Sequence, residues 1–437
     1  MPITSTTTDE LLAYAGLARV CEPPATALSQ FVTREGPVAA WRAVIERRAP
    51  RPVLAGSAAR VADLSWDDAR RQAEADLLDA AQVGAELLTP ADPAWPAAAV
   101  TGLAGAVARG VTGAAPPLAL WVRGRLPVRL PADGVTIVGS RACSPYGRRV
   151  AGELAADLAA RGRAVISGAA FGVDTAAHYG ALMARHPGGQ PATVAVLACG
   201  IDRAYPEANR ELLDRIAADG AVVSEYPPGT RPARHRFLVR NRLIAAFGAG
   251  TVVVEAGRRS GTLSTAAAAD HQGRLVMAVP GPVTSALSAG CHLLLADRFA
   301  HLVTGADDVL TALGGHRAIE PALFPATDAT GGVSGARVLD RPGSDPHHPT
   351  DGLDADTARV YEAFPARERI AVAELVKESG LVAPTVLGAL AVLELHDLAE
   401  RQGHLWRRCR PGRRPVTGSG GPSGPAVRSA DPPPRAQ

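Results

Sequence analysis

The sequence predicts an α/β protein: a doubly wound parallel-sheet Rossmann-like core, preceded by an all-α N-terminal domain and followed by a winged helix. Three observations carry this. Between 135 and 279 short apolar strands alternate with amphipathic helices, residues 9–83 show helical spacing only, and residues 353–408 read as three helices and two short strands. The core strands are VTIV (135–138), AVIS (164–167), TVAVL (193–197), AVVS (221–224), TVVVE (251–255) and RLVMAV (274–279). Strands apolar on both faces, separated by one helix each, belong to a parallel sheet covered on both sides, with right-handed crossovers. This core spans 115–314.

The helical domain, 9–110, contains Asp9 to Val20, Ala25 to Arg34, Pro37 to Arg47 and Ser65 to Val83, broken at Pro23-Pro24 and at the Pro50/Pro52 pair. Thr8 or Asp9 caps the first helix and Ser65 the last; residues 1–8 are expected to be disordered. Residues 315–352, rich in Pro, Gly, Asp and Ser, read as a linker. The winged helix, 353–410, comprises Asp354 to Ala363, Ala371 to Ser379 and Ala383 to Leu395, with Gly380 at the turn, then DLAER and HLWRR. The tail, 411–437, is expected to be disordered.

Composition excludes more than it identifies. A length of 437 residues calls for two or three domains, and a net charge of +3 argues for no particular partner. Lys377 is the single lysine, so anion contacts here fall to arginine forks. The scattered cysteines Cys21, Cys143, Cys199, Cys291 and Cys409 form no C-x-x-C pair, which points to neither disulfides nor zinc and fits a reducing compartment. With no basic-then-apolar start and no apolar run near the ~18 residues of a membrane span, the expectation is a cytoplasmic protein without a membrane. Nothing calls for a metal or cofactor.

In an open parallel sheet, ligands bind beyond the carboxyl ends of the strands. The segments there are Gly139-Ser140-Arg141, Ser167-Gly168 through Asp174, Cys199 through Pro206, Glu225-Tyr226-Pro227, Glu255 through Thr262, and Pro280-Gly281-Pro282. Glycines let a backbone approach phosphate, hydroxyls add donors, and Arg141 can bind it bidentately. Each piece also has a plainer role: Asp174, Ser260 and Thr262 as helix caps, His178 as a hydrogen-bonded core residue, Glu255 as a general base, a ribose ligand or the buried partner of an arginine. Residues 231–242 hold Arg231, Arg234, Arg236, Arg240 and Arg242 with Phe237 and no acid. Unmixed cations beside a ring suit single-stranded nucleic acid, the charge following the backbone and the ring stacking a base; the plainer reading makes Phe237 a core anchor. Residues 135–260 carry 16 arginines against 10 acidic residues, so positive charge gathers on the core. No P-loop sequence and no clean G-x-G-x-x-G is present, and no catalytic set stands out.

The stretches IVGSRACSPYG, AVISGAAFGVDTAAHYGAL, LACGIDRAYPEANREL, VVSEYPPG, FLVRNRLIAAF, VVVEAGRRSGTLSTAAAA and VPGPVTSALSAGCHLLL resemble, in order and wording, the DNA-processing protein A (DprA/Smf) family over about 118–312. The resemblance implies a non-enzymatic homodimer that binds single-stranded DNA. It also implies that this DNA is passed to the RecA recombinase, bypassing single-strand-binding protein, in natural transformation or recombination. It assigns Gly139, Ser140 and Arg141 to a phosphate-contacting turn. Phe237, Arg240, Asn241 and Arg242, with the Ser167-Gly168 and Ser260-Gly261-Thr262 turns, go to a DNA edge. A basic residue before the ring matches either Arg234 or Arg236. The alternative is a Rossmann-type nucleotide-processing hydrolase similar to the phosphoribohydrolases, but SGTLSTAAAAD lacks the double glycine and the glutamate of their P-G-G-x-G-T-x-x-E pattern. The second helix of the helix-turn-helix, APTVLGALAVLEL, has no cation and is expected not to read duplex sequence.

Overall fold

The computed structural model describes residues 6–124, 130, 133–184, 192–315, 353–365 and 369–409. The expected linker beyond 315 and the expected tail lie outside these.

The chain opens with α1 (Thr8–Val20), α2 (Thr26–Glu35), α3 (Pro37–Ile45), α4 (Arg51–Val61) and α5 (Trp66–Gln82). Thr7, rather than Thr8 or Asp9, caps α1, its hydroxyl and the Glu10 carboxylate closing a capping box, so order begins inside the segment expected to be disordered. Ser65 caps α5 as expected. The helical run breaks at the Pro50/Pro52 pair as expected, α3 ending at Ile45, but the pair also starts α4, an additional helix, because proline within the first turn costs no intrahelical bond.

Next come β1 (Ala85–Leu88), α6 (Ala97–Ala108) and β2 (Leu120–Gly124). β1 lies within the expected helical domain, just past its last expected helix. It pairs antiparallel with β2, which pairs antiparallel with the sheet. The core continues as β3 (Gly134–Val138), α7 (Pro145–Ala160), β4 (Val165–Ser167), α8 (Val173–Met183), β5 (Thr193–Leu197), α9 (Arg210–Asp219), β6 (Ala221–Ser224), α10 (Arg234–Phe247), β7 (Gly248–Val253), α11 (Thr262–His271), β8 (Leu275–Ala278), α12 (Ala289–Ala296), β9 (His301–Leu302) and α13 (Ala306–Gly315). The strand order is β1-β2-β6-β5-β4-β3-β7-β8-β9, parallel from β6 to β9.

Every residue of β3 to β6 is buried, as two-sided coverage demands. One face carries α7, α8 and α13 through Val135, Ile137 and Val165, and farther along packs the N-terminal helices against Trp121, Ala195, Leu197 and Val222. The other face packs α6, α10, α11 and α12 on Val138, Ile166, Val194 and Val196. The N-terminal helices therefore share a hydrophobic core with the sheet. The chain ends with α14 (Ala355–Ala363), β10 (Ile370–Ala371), α15 (Val372–Ser379), α16 (Ala383–Leu395), β11 (Ala399–Gln402) and β12 (Leu405–Arg408), a winged helix around Val360, Leu375, Leu390 and Trp406. Gly380 takes a positive φ of 68° at the helix-turn-helix corner, where glycine has no steric cost. No single helix among the described residues is long and apolar enough to cross a membrane.

Candidate nucleic-acid interface

From β3 the chain winds toward β6 and then jumps across to β7, so the sheet reverses direction between β3 and β7. This switch point leaves a crevice beyond the strand ends. The turn at 139–141 sits there, tied to β7 by a hydrogen bond from the Ser140 amide to the Glu255 carbonyl (2.7 Å). Gly172, φ +81°, lies so close that a Cβ on it would stand 2.2 Å from the Ser140 carbonyl oxygen. Gly139 is buried, Ser140 half-buried and Arg141 exposed.

Arg141 places its guanidinium 5.2 Å from the centre of the Phe237 ring, and Tyr205 packs against the same ring at 5.2 Å, tilted by 51°. Phe237 is half-buried and Tyr205 is 41 % exposed, so two rings and a cation present one surface. Tyr205 follows β5, and nothing local in the sequence announces that it meets Phe237 across the crevice.

The basic segment is helical from Arg234, and this sorts its residues by face. Arg234 and Phe237 lie a turn apart, exposed and half-buried, whereas 236 and 240 lie a turn apart facing in. Arg234 is the exposed member of the pair that the sequence left open.

The expected direct DNA contacts at Arg236, Arg240 and Arg242 are corrected: all three are buried, 3–4 % exposed. Arg236 is paired with Glu22 (2.7 Å) and Arg242 with both oxygens of Glu225 (2.7 and 2.8 Å). Arg240 Nη1 donates to the carbonyls of Gly168 (3.0 Å) and Val196. Burial lowers the Arg240 pKa to about 10, with the nearby Arg141 adding to this and Asp174 opposing it, so Arg240 stays charged at neutral pH.

Ser167 is buried as well, donating to the Ile137 carbonyl (2.7 Å), and Gly168 lies beneath the surface. Ser260 and Thr262 satisfy each other, the Thr262 amide donating to Ser260 Oγ (3.2 Å) beside the exposed Gly261. Asn241 Nδ2 donates to Ser264 Oγ (2.8 Å), fastening α10 to α11.

The carboxylates of the crevice are committed. Asp174 does not cap its own helix: it accepts from the amides of Gly168 (3.1 Å) and Ala170 (3.3 Å), and burial raises its pKa despite the pull of Arg240. Between these amides Ala169 holds φ +53°, a left-handed conformation costing a non-glycine residue about 1–2 kcal/mol. Glu255 partners Ser144, not an arginine, accepting from its amide (2.9 Å) and its hydroxyl (2.5 Å) at the start of α7. Among the described residues no group of three or more His, Cys, Asp or Glu is placed to hold a metal ion.

His178 is fully buried. Thr193 Oγ1 donates to the Val165 carbonyl (2.7 Å) and therefore accepts from His178 Nδ1 (2.7 Å), which fixes the neutral tautomer. Burial lowers its pKa from 6.5 to about 3. Since the folded pKa lies below the unfolded one, His178 adds full stability above pH 6.5 and loses it as pH falls toward 3. Lowering the pH from 8 to 5 is expected to cost about 2 kcal/mol through this residue. Urea unfolding at both values should show a smaller pH difference in His178→Asn; an equal difference would move the titration elsewhere.

Residues 86–314 match the family model for DNA recombination-mediator protein A, and residues 344–403 that for the DprA winged helix domain. A DNA processing protein DprA of Mycobacterium tuberculosis is 43 % identical over 404 residues, covering 92 % of this chain and 95 % of that protein. The X-ray structure of DprA from Streptococcus pneumoniae is 29 % identical and covers 70 % of this chain and 98 % of that one, with a TM-score of 0.48. A Helicobacter pylori DprA structure, reported for its single-stranded-DNA binding mode, is 29 % identical, covers 45 % and 87 %, and has a TM-score of 0.41. From its matched domains and its near full-length likeness to a DprA protein, the chain belongs to the DNA recombination-mediator protein A family.

Proposed function

We propose that this protein binds single-stranded DNA along the carboxyl edge of its sheet, without catalysis. As a homodimer it would then present the strand to a RecA-type recombinase in place of single-strand-binding protein, in natural transformation or recombination. The observation that carries the reading is the Arg141–Phe237–Tyr205 cluster at the switch point: a cation over the half-buried Phe237 ring, with the exposed Tyr205 against that ring and the exposed Arg234 one turn away. Such a surface offers charge to the phosphates and faces to the bases, with no edge-specific readout. Against a hydrolase stands the commitment of Asp174, Glu225 and Glu255 to structural partners. The five free cysteines fit a reducing cytoplasm. The cation-free α16 buries Val386, Ala389, Leu390 and Leu393 in its own domain, which suits docking rather than base reading.

The test is a salt titration of binding to matched single strands and duplexes. Arg141→Ala should weaken single-strand binding about 10- to 100-fold, the worth of a charge-assisted phosphate contact. It should also lower the salt slope by about 0.7 for each phosphate lost. Phe237→Ala should weaken binding by about 1–3 kcal/mol with the slope unchanged. Equal affinity for both strand forms, untouched by either substitution, would refute the reading.

A further inference from the structure

The surface around Arg141 continues away from Phe237. α7 leaves the 139–144 turn and α8 leaves Phe171-Gly172, and between the two helices lies an open groove of about 800 Å³ with Arg141 and Phe171 at its mouth. The helices approach so closely that a Cβ on Gly180 would sit 2.1 Å from the Gly152 carbonyl oxygen, which leaves a flat floor. Along one wall Phe171, Tyr179 and Met183 are 48, 37 and 81 % exposed. That is a concentration of large exposed apolar groups in a chain with only 4 % aromatic residues. Arg215 stacks on Tyr179 at 5.5 Å. The other rim carries Arg148 and Arg149. Arg149 pairs with Glu153 (2.8 Å), whereas the exposed Arg148 guanidinium is in no ion pair or hydrogen bond among the described residues.

Rings on one wall and cations on the other match the two faces of a single strand: bases stack while phosphates meet the charge. A second copy of the chain fits less well, because a two-fold contact would set the patch on itself and bring Arg141, Arg148 and Arg149 toward their own copies. We propose that single-stranded DNA runs from the Arg141–Phe237 edge into the α7–α8 groove, stacking a base on Tyr179 and placing a phosphate at Arg148. This rests on the DNA-binding reading above and extends its path.

The experiment is affinity of the full chain against oligothymidylate length, stepped through the site sizes of about 4 to 16 nucleotides known for single-strand binders. Affinity should keep rising after the Arg141–Phe237 edge is filled. Tyr179→Ala should remove about tenfold from that rise, and Arg148→Glu, a surface change without a folding burden, should remove it too, while the shortest strands bind as before. Arg141→Ala should weaken every length. Wild-type behaviour of both groove variants on long strands would overturn the proposal. So would a change in their oligomeric mass by light scattering, which would assign the groove to a second copy. Failure of the wild-type chain to bind any single strand would instead refute the underlying reading.

Discussion

Glu22→Ala is expected to cost about 3–5 kcal/mol of folding stability, the penalty for removing one partner from a buried ion-pair cluster. Glu22 lies just after α1, its side chain 8 % exposed, and receives Arg60 from α4 and Arg236 from α10, with His235 Nε2 at 3.3 Å. Arg236 also donates to the Glu378 carbonyl of α15 (3.3 Å). One carboxylate thus stands where the N-terminal helices, the sheet domain and the winged helix meet. Burial alone would push its pKa up, but Arg60, Arg236 and the hydrogen bonds from His235 and Arg236 hold it well below the usual carboxylate range. Its stabilisation is therefore present above the unfolded pKa of about 4.3 and is lost as pH falls below it. Urea unfolding should show the full difference between wild type and Glu22→Ala near neutral pH and a narrower one in strong acid. The double variant with Arg236→Ala should cost less than the sum of the singles, because the stranded cation is removed with its partner. Additive losses would show that the two side chains act independently.

Much of this architecture was legible because burial writes itself plainly into parallel strands. The six apolar runs from 135 to 279 all became strands, and the winged helix followed from three periodic helices and the glycine corner. β1 and β2 were not legible: AELL and LWVRG are four and five residues long, and what makes them strands is a partner remote in sequence, Leu120–Arg123 for β1 and Ala221–Ser224 for β2. The basic segment failed for a different reason. Helix α10 hides its start because two inward positions, 236 and 240, are arginines, so the usual apolar periodicity is missing. Those arginines are tolerated inside only because Glu22 and the Gly168 and Val196 carbonyls, remote in sequence, receive them. Arg141 stands out in the sequence by its strand-end position and Phe237 by its place in an acid-free run of arginines, whereas the meeting of Phe237 with Arg141 and Tyr205 is purely tertiary.

Arg240→Met is expected to cost about 3–5 kcal/mol as well, and to weaken single-strand binding without contacting DNA. Arg240 holds the Gly168 carbonyl from one side (3.0 Å) while Asp174 holds the Gly168 and Ala170 amides from the other. Asn209 Nδ2 donates to the Ala169 carbonyl (2.9 Å). These three side chains keep Ala169 at φ +53°, a conformation that persists only where its surroundings impose it. Methionine fills the volume but frees two carbonyls and leaves Asp174 buried without its cation, so the loop would relax beneath Gly172 and the 139–141 turn. The Arg240 guanidinium also lies 5.7 Å from the Phe237 ring, so the ring loses a support at the same time. Arg240→Lys restores the charge but not the fork, and should recover only part of the loss. The salt dependence separates this from a direct role: a positioning residue lowers affinity at every salt concentration and leaves the slope alone, whereas loss of a phosphate contact flattens it. A flattened slope with unchanged stability would mean that Arg240 leaves the core to meet the strand, and the loop would then need another anchor.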